Sequence, residues 1–142
     1  MRGLRIVLIL VVVYAGIVTA FESLIGTFQP TNDGTLVITT FDANQKPHPR
    51  VVARLENEGH LYVAANHWPR AWYRRALANP EVQAKIEGNT GDYTAVPVTG
   101  EEHDRVSADR PLPAVFRILT GFPPRYFLRL DPRAGAVAPT AS

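Results

Sequence analysis

Hydrophobic positions along the chain change period several times, and each change marks an element. Ile6 to Phe21 carries no charge. As a helix this run rises about 24 Å, and Ser23 to Gly26 extend it past Glu22 towards the roughly 30 Å of a bilayer's hydrocarbon core. Residues 1–26 therefore read as an N-terminal transmembrane anchor. The competing reading is a cleaved signal segment, because Val18-Thr19-Ala20 resembles a small-residue cleavage site. The run stays apolar through that site, which favours the retained anchor. Arg2 and Arg5 precede the run, and the next cation after it is Lys46. The positive-inside bias then keeps the N-terminus in the cytoplasm and makes the domain extracytoplasmic.

Residues 27–34 read as a linker, with Pro30, Asn32, Asp33 and Gly34 as turn formers. Strands are expected over Thr35–Phe41, over Pro49–Leu55 with Val51, Ala53 and Leu55 on one face, and over His60–Asn66 with Leu61, Val63 and Ala65 on one face. The period then becomes helical. Trp72, Tyr73, Ala76 and Leu77 form one stripe between Pro69, suited to a first helical turn, and the stop at Asn79-Pro80. Val82, Ala84 and Ile86 alternate with polar residues, and with Gly91–Val98 they predict a hairpin turning at Asn89-Thr90. Thr99 and Glu102 are spaced as a capping box. Pro111–Phe122 reads as a short apolar helix, Pro124–Leu130 as a closing strand, and residues 132–142 as a disordered Ala/Pro-rich tail. Hairpin-length turns force antiparallel neighbours, and closure removes exposed edges. The expectation is a mainly β (α+β) domain over residues 35–131, a small barrel of about six antiparallel strands with short helices.

Charge and composition narrow the chemistry. Without Arg2, Arg5 and Glu22 the chain keeps 13 cations and 12 carboxylates, too balanced for a nucleic-acid binder. It has no cysteine, so thiol catalysis and Cys-ligated metal are excluded. His48, His60, His67 and His103 are scattered, so no metal site is expected. No nucleophile elbow, HExxH or phosphate loop appears. Glu101 and Glu102 suit a helix start better than acid–base work.

The densest cluster is NHWPRAWYRRALANPEV, Asn66 to Val82, which holds both tryptophans. If Pro69 opens the helix, Trp68 occupies the cap and cannot accept its hydrogen bonds. Those backbone donors then turn to Asn66, water or a ligand phosphate. Trp72 and Tyr73 suit packing of the helix onto the barrel; Arg74 and Arg75 suit a solvated face or a phosphate. Arg50 and Arg54 share a strand face that is either solvent or an anion site.

PRAWYRRALANPEV and GDYTAVPVTGEE, with LYVAAN before them, resemble the deazaflavin (F420)-dependent nitroreductase and quinone reductase family. The first hairpin, TTFDANQKPHPRVV, resembles the related pyridoxamine-phosphate-oxidase-like flavin binders. The likeness covers roughly Thr35 to Arg105 and implies a split β-barrel, F420 as cofactor with FMN as the alternative, and hydride transfer to a quinone, nitroaromatic or similar apolar acceptor. It implies Arg50 near the cofactor phosphate or side chain, with Arg74 helping at its polar end. Ala65, Asn66 and His67 would line the ring, and Trp72 and Tyr73 would be the helical W-Y pair. Trp68 and Phe116 are candidates for an acceptor pocket. Tyr73, His67 and Tyr126 are candidate proton donors, with no catalytic residue assigned. A homodimer stays open by family analogy. DANQK replaces the family's usual first-hairpin sequence, and Arg75 stands where asparagine is usual. These departures motivate the alternative of a membrane-anchored accessory barrel without a redox cofactor.

Overall fold

The computed structural model describes residues 2–27, 32–66 and 70–135. Six antiparallel strands close into a barrel in the order β1-β2-β3-β6-β5-β4. They are β1 (Thr35–Phe41), β2 (Pro47–Asn57), β3 (His60–Ala65), β4 (Glu81–Ile86), β5 (Asn89–Pro97) and β6 (Tyr126–Pro132). The helices are α1 (Arg2–Thr27), α2 (Ala71–Ala78) between β3 and β4, and α3 (Gly100–Asp109) and α4 (Ala114–Leu119) between β5 and β6. The number and antiparallel sense of the strands match the hydrophobic pattern.

Several boundaries move for physical reasons. The β4–β5 hairpin turns at Glu87-Gly88 rather than Asn89-Thr90. Both turn residues have positive φ, 50° and 89°, as the two-residue turn matching strand twist requires. Helix α2 starts at Ala71 with Arg70 at its cap, not at Pro69 with Trp68 as cap; residues 67–69 lie outside the described residues. So do 28–31 of the expected linker and 136–142 of the expected tail, while Thr27 belongs to α1 and Pro132 to β6.

Inside the barrel, Ile38, Val52, Val63, Val82 and Leu128 pack with Trp72 and Ala76 of α2. Leu77, expected on the same stripe, is exposed, because five residues from Trp72 is about 140° around a helix. The Val51, Ala53 and Leu55 face of β2 lies outside the barrel. Val52 enters the barrel, whereas Ala53 and Leu55 lie outside with Tyr62, Phe127 and Val106 of α3. Val52 shares its face with Arg50, Arg54 and Glu56, so the charged residues of that face lie along the same side as the one residue that enters the core, and the more apolar face is covered from outside.

Helix α1 divides in two. Arg2 to Val13 is exposed on every side. From Tyr14 onwards one stripe docks on α4. The Tyr14 hydroxyl donates to the Ile118 carbonyl at 2.8 Å, and Phe21 meets Phe116 edge-on at 6.1 Å. A Cβ on Gly121 would lie 3.1 Å from Val18 Cγ1, and its φ of +72° is left-handed. Glycine there permits both the turn and the close approach. Glu22, the first charge after the apolar run, is buried and acts electrostatically on buried Arg70. Residues Arg2–Ile25 are long and apolar enough to cross a membrane.

Candidate functional site

A cavity of 290 Å³ lies between the β2–β3 wall and its helical cover. Its wall runs from Arg50 to Ala53 on β2 and from Ala64 to Asn66 at the end of β3. Ala53 is the direct partner of Ala64. Alternate residues share a face, so Val51, Ala53, Ala64 and Asn66 point to the same, outer side. The space exists because alanines stand where larger side chains would fill it. Trp72, Ile25, Leu112 and Phe116 complete the lining.

The polar groups are few and well placed. Asn66 Oδ1 accepts a 2.9 Å hydrogen bond from Arg125 Nε. That bond commits the amide oxygen and leaves the amide N–H groups as the side chain's donors. Arg125 also donates to the Ser107 carbonyl at 3.2 Å and lies over the Phe127 ring. Burial pushes its pKa below the usual arginine value. Arg50, half-buried opposite Ile38 of β1, brings the cation.

Four of the eight expected site residues thus come together: Arg50, Ala65, Asn66 and Trp72. His67 and Trp68 lie outside the described residues, in the segment directly after Asn66. Tyr73 and Arg74 do not border the cavity. Tyr73 packs edge-on to Trp72 and stacks on Tyr126 at 5.4 Å. Arg70 covers Tyr126 at 4.7 Å and donates to the Pro124 carbonyl. Burial raises the Tyr73 pKa and lowers that of Arg70. Arg74 is exposed. Phe116, the candidate acceptor-pocket residue, does line the cavity, while Tyr126 does not.

Other candidates resolve into structural roles. Arg54 pairs with Glu56 and Glu87, so its shared strand face with Arg50 does not make a two-arginine anion site. Arg75 donates to the hydroxyl of fully buried Thr40 at 3.1 Å; it ties α2 to β1. Thr99 caps α3 without a side-chain hydrogen bond. Glu102 instead accepts from Tyr62 at 2.9 Å and from Arg129 at 2.9 and 3.2 Å. Burial pushes the Glu102 pKa up, but the hydrogen bonds from Arg129 and Tyr62 outweigh this and leave it below the ordinary carboxylate value. Among the described residues no cluster of metal-ligating side chains forms.

A family model described as F420H(2)-dependent quinone reductase matches residues 13–112. The chain belongs to this family. The match begins one residue before Tyr14, where α1 starts to dock, and covers the whole β2–β3 wall. No curated protein matches the sequence. Among solved structures, an F420-H2 dependent reductase, FDR-A, is 20% identical over 73% of this chain and 99% of its own, with a TM-score of 0.55. HutZ, a heme storage protein from Vibrio cholerae, is 20% identical over 85% of this chain and 91% of its own, with a TM-score of 0.58. A heme binding protein from Mycobacterium smegmatis is 13% identical over 71% and 47% of the two chains, with a TM-score of 0.54. At these identities the likeness is one of fold, and one barrel serves proteins with different ligands.

Several contributors escaped sequence reasoning: the wall residues Val51, Val52, Ala53 and Ala64, together with Ile25, Leu112 and Arg125. Ile25 was hidden inside an apolar run whose helical phase (14, 18, 21, 25) does carry the docking stripe. Leu112 and Arg125 reach the site only because the chain between α3 and β6 folds back over β3.

Proposed function

We propose that this protein is a membrane-anchored reductase that passes hydride from reduced F420 to a quinone or similarly apolar acceptor. The observation that carries the reading is the cavity that gathers Arg50, Ala65, Asn66 and Trp72 in a chain of the F420H(2)-dependent quinone reductase family. The donor set suits the cofactor. Alanines, Trp72 and Phe116 give apolar walls for a flat ring, the Asn66 amide offers donors for a polar ring edge, and Arg50 meets a negatively charged side chain. When bound, reduced F420 supplies the hydride. The chain's own residues orient it and exclude water. Trp72, packed into the barrel core, fixes one wall; Arg125 holds Asn66 in its donor orientation. His67 and Trp68, which follow Asn66 in sequence, are proposed as further cofactor contacts. Tyr73 packs against Trp72, and Arg74, outside the cavity lining, would meet only a long polar tail.

Residues 1–26 anchor this domain of residues 35–131, and Arg2 and Arg5 hold the N-terminus in the cytoplasm with the barrel outside. A C-terminal reporter active only outside the cytoplasm checks this; a silent fusion reverses the orientation. For the cofactor, the full chain in detergent micelles is titrated with F420 and, separately, FMN while tryptophan emission is followed. Saturable quenching by F420, followed by oxidation of reduced F420 on adding a short-chain quinone, is expected. Quenching by FMN alone would reassign the cofactor; quenching by neither would leave an accessory barrel.

A further inference from the structure

We infer that α4 and the turn after it are a second membrane contact, seated in the headgroup–acyl boundary of the leaflet from which α1 emerges. The inference rests on the reading of α1 as a membrane span and goes beyond it.

The first observation is one of length. Tyr14 is hydrogen-bonded to Ile118, so α1 is already beside α4 at its midpoint. The free apolar part, Ile6 to Val13, rises about 12 Å, against roughly 30 Å of hydrocarbon. A span that ended where docking begins would be about 18 Å short. Thinning the bilayer by that much is costly. An interfacial helix that buries its apolar face about 5–10 Å into the boundary draws the docked second half of α1 towards the leaflet and supplies part of the missing length.

The second observation is the surface of α4 itself. Phe116 and Thr120 face inwards, Phe116 onto Phe21 and Thr120 fully buried. The other side presents Val115 at 67%, Ile118 at 48% and Phe122 at 58% exposure. Phe122 is held in the left-handed backbone region, φ 53°, which a bulky residue rarely adopts. This apolar face is continuous with the exposed apolar surface of α1 through the Tyr14–Ile118 contact. Neither water nor the barrel accounts for it.

The third observation is charge. A groove of 420 Å³ beside α4 is lined by Arg117, Arg125 and Phe122, and Arg117 lies 5.6 Å above the Phe122 ring. Apolar side chains flanked by arginines match a leaflet boundary, with acyl chains meeting the former and lipid phosphates the latter. Leu112 lines both this groove and the cavity, and Ile25 and Phe116 close the cavity on the same side. Seating α4 in the leaflet turns the cavity rim towards lipid, so an apolar acceptor reaches it without crossing water.

The absence of cysteine makes the test direct. Single variants V12C, V115C, F122C and L77C of the full chain are labelled with an environment-sensitive fluorophore and reconstituted in vesicles of phosphatidylcholine and phosphatidylglycerol. Lipids carrying nitroxides at deep or shallow acyl positions serve as quenchers. Val12 reports the span, Val115 and Phe122 report α4, and exposed Leu77 on α2 is the aqueous control. The expected result is loss of emission at Val12 with the deep quencher, at Val115 and Phe122 with the shallow one, and at Leu77 with neither. Quenching at Val12 alone, with α4 positions in water, overturns the inference and leaves the anchor standing. A dry environment at α4 without lipid quenching means a second protein copy covers it, and also overturns it. No quenching at Val12 removes the span and the inference together.

Discussion

Replacing Arg50 with methionine keeps the aliphatic stem along the β2 wall and removes the one charged side chain among the described residues of the cavity lining. The other lining residues Ala53, Ala64, Ala65 and Trp72 are unchanged by the substitution. A hydrogen bond to a charged partner is worth about 1.5–3 kcal/mol net. Arg50 is half-buried, and solvent screening moves the figure to the lower part of that range. A loss of about 2 kcal/mol corresponds to roughly a 30-fold weaker Kd for F420. The assay is the tryptophan-emission titration, repeated at two salt concentrations. Wild-type affinity should fall with salt, and R50M should be both weaker and less salt-sensitive, because the screened charge is gone. An unchanged Kd with an unchanged salt slope would refute the reasoning. It would mean that Arg50 serves the strand and that the cofactor's negative end lies elsewhere, with Arg74 the next residue to replace.

Three further outcomes test the scaffold. Glu102→Gln removes the carboxylate held by Arg129 and Tyr62; both charged side chains are about a quarter exposed, so a cost of about 1–2 kcal/mol at neutral pH is expected. Because the folded Glu102 pKa lies below its ordinary 4.5, this stabilisation is complete above that value and disappears as pH falls through the folded one. Wild type and variant should therefore converge in acid, and a gap that persists there contradicts the linkage. Ile38→Ala, at a position with no exposed surface, should cost about 2–5 kcal/mol and lower the thermal midpoint clearly; a near-neutral result would mean the barrel interior is not packed as described. Arg75→Ala and Thr40→Val should each cost about 1 kcal/mol, and the double variant less than their sum. Strict additivity would deny the Arg75–Thr40 bond.

That bond changes the meaning of a sequence departure. Arg75, in place of the family's usual asparagine, suggested a barrel that had lost its cofactor. In the fold it is a tie between α2 and β1, outside the cavity lining. The altered position thus has a packing explanation and does not itself favour the accessory reading. Trp72 and Tyr73, adjacent in sequence, also part company. Trp72 forms cavity wall and core together, and Tyr73 turns to Tyr126 and Arg70. A pair of neighbours on a helix lies about 100° apart, so one motif serves two environments.

The sequence alone determined what local physics controls. The charge-free run had to be a long apolar helix, the two-residue periodicities had to be strands, and short connections made those strands antiparallel, which led to a closed six-stranded barrel. Resemblance of the helix-and-hairpin segment pointed to the family. Tertiary structure decided everything that depends on two distant segments meeting. It chose which face of β2 enters the barrel, turning Val52 inwards although its face also carries Arg50 and Arg54, and covering the Ala53–Leu55 face from outside. It made Glu102 an ion-pair partner of Arg129 instead of a capping residue. It brought Arg125 to Asn66 across 59 positions of chain. It also folded the second half of α1 onto α4, so that a segment legible only as an anchor became part of the cavity's roof. Side-chain contact energies between such segments are as large as local propensities, but their addresses are set by the closed barrel and not by spacing along the chain.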